Sequence, residues 1–284
     1  CRTPHDAGRC LHDFARGPPL SLPDSQAVMR PLAECNRVCL EAGTTRLVQE
    51  LTWKLMPGQC WGILGPNGSG KTTLLQALAG LHPVVQGEIR LAGNPVEKLS
   101  RKAIARRVGL LFQETHYPFP LRVRELVLAG RYAWQNWSGA SSEGDDEIST
   151  RAMTVMHLET LAERHVNTLS GGERRRVALA TLLSQQAGIQ LLDEPENHLD
   201  PGIRVKLLES FIDQLDSQKQ STVMVLHEPA LAVRLCSHLL LLFDDGDYLA
   251  GETDQVATEE NMTRLYGTPF HTVRSGKILL FYPG

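Results

Sequence analysis

The residues best suited to chemistry are Gly65-Pro66-Asn67-Gly68-Ser69-Gly70-Lys71-Thr72-Thr73, which fit the phosphate-binding pattern G-x-x-x-x-G-K-[ST] with no mismatch. Glycines let such a loop curl until several backbone N–H groups point at one phosphate. The helix that follows adds the partial positive charge of its N-terminus. Lys71 can reach the β- and γ-phosphates of a nucleotide, and the Thr72 hydroxyl can sit on Mg²⁺. Further along, the apolar run Ile189-Gln190-Leu191-Leu192 ends in Asp193 and Glu194. An Asp at the end of such a strand helps to hold Mg²⁺ beside a nucleotide. Glu194 is then the candidate general base for a water attacking the γ-phosphate, a role worth roughly 10²- to 10⁴-fold in rate. Charge stabilisation by Lys71 and Mg²⁺ accounts for much of the remaining catalysis in such a site.

These side chains need a scaffold that brings them together. The apolar run Cys60-Trp61-Gly62-Ile63-Leu64 reads as a buried strand, and residues 73–79 suit a helix, so the glycine loop has the strand and helix it requires. Earlier strands are expected at 37–40 and 47–55, with Pro57-Gly58 as the turn into the loop strand. Later strands are expected at 87–91, 108–112, 189–192, 222–226 and 239–243. Between them, residues 123–134, 148–158, 160–165 and 174–185 read as helices, and Pro201 starts another at its first position. Ser138 to Asp146 has the composition of a surface loop. The fold class is α/β: a mostly parallel sheet with helices on both faces, preceded by strands and carrying a helical insertion from 114 to about 166. Ligands bind at the carboxyl ends of such strands. Gln113, Asp193, Glu194 and His227 each follow a predicted strand, as the phosphate loop does, so they converge on one edge.

Composition limits the partners. The chain has 284 residues and a formal net charge of −3, so it has no bulk attraction to nucleic acid or to an acidic membrane surface. No stretch approaches the roughly 18 apolar residues of a membrane span, so work at a membrane needs another chain to supply one. The six cysteines match no common zinc spacing, and Cys60 and Cys236 lie in apolar runs as buried thiols, which fits a reducing cytosol. Residues 1–28 carry four prolines and no periodicity before Met29, and residues 1–33 are expected to form a disordered extension.

The run Leu169-Ser170-Gly171-Gly172-Glu173 narrows the reading. Together with Gly65 to Thr73, Gln113, Leu191 to Glu194, Asn197 to Asp200 and His227, it makes the sequence over residues 34–284 resemble an ABC-transporter ATP-binding subunit. The resemblance implies a P-loop NTPase core of RecA type at 34–113 and 167–243, an antiparallel β part, a helical part at 114–166 and a tail at 244–284. It implies that two copies sandwich two ATP molecules head to tail. Ser170, Gly171 and Gly172 of one copy would then face the γ-phosphate held by Lys71 of the other, with Asp200 at the seam. In the same frame Gln113 senses Mg²⁺ and the membrane partner, and His227 holds the γ-phosphate and the attacking water. The chain departs from the family near Ala42, where an aromatic usually stacks on adenine; no Tyr, Phe or Trp lies between Arg30 and Glu50. Residues 118–132 and 259–267 resemble importers of iron-siderophores, haem and vitamin B12 more narrowly. The partners so implied are a transmembrane permease, a second ATPase copy and a substrate-binding protein, at the cytoplasmic face of the membrane, with no nucleic acid.

Two other functions compete with transport. A soluble ATPase of DNA or ribosomes would use the basic clusters at 101–107 and 174–176, but the chain has neither a coiled-coil insertion nor a second ATPase module. A non-catalytic ATP switch is opposed by the presence of Lys71, Glu194 and His227.

Overall fold

The computed structural model describes residues 30–114, 117, 119–135, 143–275 and 278–284. The expected N-terminal extension lies outside the described residues except for its last four positions, as do Pro118 and residues 136–142. The chain opens with β1 (Ala33–Ala42) and β2 (Thr45–Leu55), which pair antiparallel with Ala42 opposite Thr45. Gly43, at φ 60°, occupies the left-handed region that this two-residue turn needs. Then follow β3 (Cys60–Leu64), α1 (Lys71–Leu78), β4 (Gln86–Leu91), β5 (Asn94–Pro95), α2 (Arg101–Ala105) and β6 (Val108–Leu111). The helical insertion contributes α3 (Val123–Ala129) and α4 (Glu143–Val155). The chain returns through α5 (Gly171–Gln185), β7 (Ile189–Asp193), α6 (Pro201–Asp213), β8 (Ser221–Val225), α7 (Pro229–Leu235) and β9 (His238–Leu242). It finishes with β10 (Tyr248–Glu252), α8 (Thr253–Val256), α9 (Glu259–Tyr266) and the hairpin β11 (Phe270–Ser275) and β12 (Ile278–Pro283).

The main sheet has the order β10-β9-β3-β8-β7-β6, parallel throughout except for β10 at one edge. A second, antiparallel sheet has the order β2-β1-β4-β5. Successive side chains of a strand point to opposite faces, so each central strand feeds two cores. Ile63, Leu191, Val223 and Leu240 pack with Leu74, Leu75 and Leu78 of α1 and with Val38, Leu40 and Leu51 of the small sheet. Leu64, Leu192, Met224 and Leu239 pack on the other side with Val177 and Leu179 of α5 and Leu207, Leu208 and Phe211 of α6. Burial on both faces is why these strands are mostly apolar rather than alternating, with Gln190, Ser221 and Thr222 as buried polar exceptions. Each such side chain contributes about 1.5–3 kcal/mol relative to exposure. Among the described residues no helix is long and apolar enough to cross a membrane.

The α/β class and the strand sequence agree with expectation, and several element boundaries do not. The helix expected over 123–134 stops at Ala129 and continues only as a 3₁₀ turn, Gly130–Ala133. A Cβ on Gly130 would lie 2.4 Å from the Thr181 carbonyl, so a glycine is required where this segment meets α5. Residues 160–165 form no α-helix; a 3₁₀ turn, Glu159–Leu161, takes their place. α4 begins at Glu143, inside the stretch expected to be a loop. α5 begins three residues before the expected Arg174, because Ser170 and Glu173 cap it reciprocally: Glu173 N–H donates to Ser170 Oγ at 3.2 Å and Ser170 N–H to Glu173 Oε2 at 2.8 Å. The Ser170 backbone N–H, with a hydrogen bond from the Ser170 side chain, also holds the Glu173 carboxyl below the usual range.

Candidate active site

The phosphate loop joins the end of β3 to the start of α1, at the carboxyl edge of the main sheet. Gly65 is packed so closely that a Cβ there would lie 2.5 Å from both the Leu242 carbonyl and Ser69 Oγ. Gly68 and Gly70 turn the backbone at φ 87° and 94°. Lys71 Nζ donates to the carbonyls of Gly65 at 2.8 Å and Pro66 at 2.7 Å, which keeps the ammonium inside the curve of the loop. Burial pushes its pKa down, against the opposing charges of Glu194, Asp193 and Asp244. Asn67, Gly68, Gly70, Lys71, Thr72 and Thr73 line one side of a cavity of about 660 Å³.

Asp193 ends β7 and is 2 % exposed. Burial raises its carboxyl pKa, a hydrogen bond with Thr72 works against that, and its Oδ1 has no hydrogen-bond partner. Ser69 Oγ, on the loop, is likewise buried and unpartnered. The orphaned Asp193 Oδ1, on a carboxyl bonded to Thr72, fits a small hard cation held with a nucleotide. Among the described residues no cluster of three His, Cys, Asp or Glu could hold a metal by itself. One carboxylate and one hydroxyl suit Mg²⁺, which takes its other ligands from phosphate oxygens and water.

Glu194 follows directly, with φ 49° in the left-handed region, a strain of order 1–3 kcal/mol for a residue with a Cβ. Its N–H donates to the Val225 carbonyl at 3.1 Å, and its carboxylate is gripped from three directions. Gln113 Nε2 donates to Oε2 at 2.7 Å and Asn197 Nδ2 to the same oxygen at 2.6 Å, while His227 Nε2 lies 2.7 Å from Oε1. Behind them Arg175 of α5, 5 % exposed, donates to the carbonyls of Asp193 at 2.6 Å, Glu194 at 2.5 Å and Phe112 at 2.7 Å. It makes longer bonds to Pro195 at 3.3 Å and Gln113 at 3.4 Å. One guanidinium thus fixes the ends of β6 and β7, from which Gln113 and Glu194 project. A carboxylate so oriented, paired with an imidazole and open to a cavity, can take a proton from a water there.

The structure therefore brings Gln113, Glu194 and His227 to the cavity with the phosphate loop, and sets Asp193 beneath Thr72. Ser170, Gly171, Gly172 and Asp200 do not line it. Gly171 and Gly172 instead pack against His198: a Cβ on Gly172 would lie 2.9 Å from the His198 carbonyl. Ser170 and Asp200 are exposed helix caps. Ala42, Thr45 and Leu47 also line the cavity, Leu47 against Gly70 of the loop, with no Tyr, Phe or Trp among the lining residues. Sequence reading located Ala42 but missed the grip of Asn197 on Glu194 and the role of Arg175, which looked like part of a basic helix face.

Loop, carboxylate pair and sheet together define a P-loop nucleotide hydrolase. The family model described as ABC transporter matches residues 48–197. The chain is 34 % identical over 232 residues to the petrobactin import ATP-binding protein of Bacillus anthracis, covering 82 % of this chain and 85 % of that one. It is 36 % identical over 232 residues to the ferric enterobactin transport ATP-binding protein of Escherichia coli, covering 81 % and 85 %. Among solved structures, a chain of a metal-chelate type ABC transporter in an inward-facing conformation superposes with a TM-score of 0.77 at 27 % identity, over 89 % of this chain and 98 % of that one. The chain belongs to the ABC transporter family, among its ATP-binding subunits, which are ATPases coupled to transport.

Proposed function

We propose that this chain is the ATP-hydrolysing subunit of an importer for metal chelates of the iron-siderophore, haem or cobalamin kind. The observation that carries the hydrolytic part is the grip of Gln113, Asn197 and His227 on Glu194 at the mouth of the phosphate-loop cavity. The cargo class rests on relatives whose names specify petrobactin, ferric enterobactin and hemin. Lys71 and the backbone N–H groups from Gly65 to Thr73 hold the triphosphate. Mg²⁺, when bound, supplies positive charge at the phosphate oxygens, and Thr72, Asp193 and Gln113 are the residues that would hold it. Glu194 takes the proton of the attacking water, and His227 orients that water and the γ-phosphate.

Ser170, Gly171, Gly172 and Asp200 have no part in the cavity of their own copy, which supports a head-to-tail homodimer in which they complete the partner's site. Ser170 caps a helix of 15 residues, Gly171–Gln185, whose N-terminus favours an anion. The division into a core (34–113 and 167–243), a helical part (114–166) and a tail (244–284) fits this use: Gln113 stands at the join of the first two, where a permease can move it. The subunit then works peripherally at the cytoplasmic face, with a permease and a substrate-binding protein supplied by other chains. Affinity purification from solubilised membranes tests the assignment. Recovery of a multispanning chain is expected, and recovery of ribosomes or DNA alone would contradict it.

A further inference from the structure

Glu196 has no place in the mechanism so far, although it sits beside its two central residues. It lies in the turn after β7, is 7 % exposed, and carries a carboxyl whose pKa burial pushes up. Its Oε1 accepts the backbone N–H of His227 at 3.0 Å. Its Oε2 is buried with no hydrogen-bond partner. The local backbone explains why a side chain is needed there. The β7–β8 ladder ends at Asp193 opposite Val225, with Glu194 N–H on the Val225 carbonyl, while Leu226 N–H is taken by Ile63 of β3. His227 N–H is the next donor beyond both ladders, and the acceptor that reaches it is a side chain, Glu196. From that backbone the imidazole reaches Glu194 Oε1. The charged groups around Glu196 are His227 and Glu194 on the same edge and Arg175 from α5, whose guanidinium Glu196 favours more than any other neighbouring charge does.

We propose that Glu196 is a positioning residue that fixes the backbone of His227, and through it the imidazole that meets Glu194. A buried carboxylate is a costly acceptor unless the bond it makes is needed. Here, besides the Glu196 N–H itself, it accepts from the backbone of a residue assigned to orient the attacking water. The proposal rests on the hydrolytic reading above and adds a residue to it.

A double-mutant cycle on the full chain tests it, with steady-state ATPase rates and the amide N–H resonance of His227 as readouts. Glu196→Ala should lower kcat by about tenfold to 100-fold, the scale of a misplacement near 1 Å, and leave the KM for ATP within about threefold. Glu196→Gln retains a side-chain carbonyl for the His227 N–H and should recover most of the rate. In a His227→Ala background, Glu196→Ala should cost almost nothing more, because its effect passes through the imidazole. The His227 amide resonance should shift in both Glu196 variants, more in Ala. Additive losses in the cycle, a raised KM with unchanged kcat, or an unmoved His227 resonance would each overturn the proposal. If Glu196→Ala does not fold, Glu196→Gln decides through the same resonance. Absence of ATPase activity in the unmodified chain would refute the hydrolytic reading instead, and the resonance would still judge the contact.

Discussion

Replacing Arg175 by methionine should destabilise the fold and disarm the site together. Methionine keeps much of the volume and the apolar stem and removes every donor. Three short bonds go: to the carbonyls of Asp193 at 2.6 Å, Glu194 at 2.5 Å and Phe112 at 2.7 Å. The Glu194 carbonyl keeps the Asn197 N–H at 3.1 Å, so two carbonyls, of Asp193 and Phe112, lose their short bonds without that support. A buried carbonyl left without a partner costs about 1–3 kcal/mol, so two would cost roughly 2–6 kcal/mol before relaxation. Against this, the folded state no longer buries a cation, a cost of several kcal/mol in itself. Burial does lower the Arg175 pKa, and the nearby Glu196, Asp193 and Glu194 oppose that, which is the pattern of a cation paid out of water and then partly compensated. The net expectation is a loss of about 3 kcal/mol, the lower end of what breaking a buried charged network costs. At about 2–4 °C per kcal/mol for a domain of this order of size, the melting midpoint should fall by roughly 6–12 °C. Thermal unfolding followed by circular dichroism measures this, with Arg175→Lys as the intermediate case: one ammonium can serve the adjacent Asp193 and Glu194 carbonyls but lacks the fork that also reaches Phe112. A midpoint within 2 °C of the unmodified chain for the methionine variant would show that the five carbonyls do not depend on the guanidinium.

Two further outcomes follow from the loop and the signature turn. Lys71→Ala removes a charged donor from the phosphate site, worth about 1.5–3 kcal/mol, so the ATP dissociation constant should rise roughly 10- to 100-fold by titration calorimetry; unchanged affinity would count against its role. Gly172→Ala places a Cβ 2.9 Å from the His198 carbonyl, a backbone atom that cannot swing aside. The helix propensity gained, about 1 kcal/mol, should be outweighed by the overpacking, and the midpoint should drop by several degrees; a rise would show that the turn yields freely.

The parts of the molecule legible in the sequence were those with a strong local signature. The glycine loop and its flanking strand and helix satisfy a pattern that few other structures satisfy. Strands buried on both faces, such as Ile189–Asp193 and Ser221–Val225, announce themselves as short apolar runs bounded by polar residues. The convergence of Gln113, Glu194 and His227 followed from a general rule about where strands of a parallel sheet end. What was hidden depends on contacts distant in sequence. Arg175 and Arg174 are indistinguishable as letters; only packing against β6 and β7 sends one inward to five carbonyls and leaves the other near the surface. Asn197 read as part of a turn because nothing local aims its amide at Glu194. The extent of the insertion helices is hidden for a related reason: the close approach of Gly130 to α5 is a tertiary contact. The C-terminal hairpin β11–β12 was unforeseen, since its pairing of Phe270 with Pro283 and Ser275 with Ile278 leaves no strong alternation in the sequence.

Glu194→Gln tests whether Glu194 is the base of a site completed by a second copy. The amide can still accept from Gln113 and Asn197 on its oxygen and turn its NH₂ toward His227 Nε2, so the cavity should survive while the proton acceptor is lost. Phosphate release should fall by about 10²- to 10⁴-fold. ATP should still bind, and size-exclusion chromatography with light scattering should show a dimer that forms with ATP and is absent without it. Turnover within threefold of the unmodified chain would exclude Glu194 as the base, and a variant that binds ATP yet stays monomeric at high concentration would exclude the shared site.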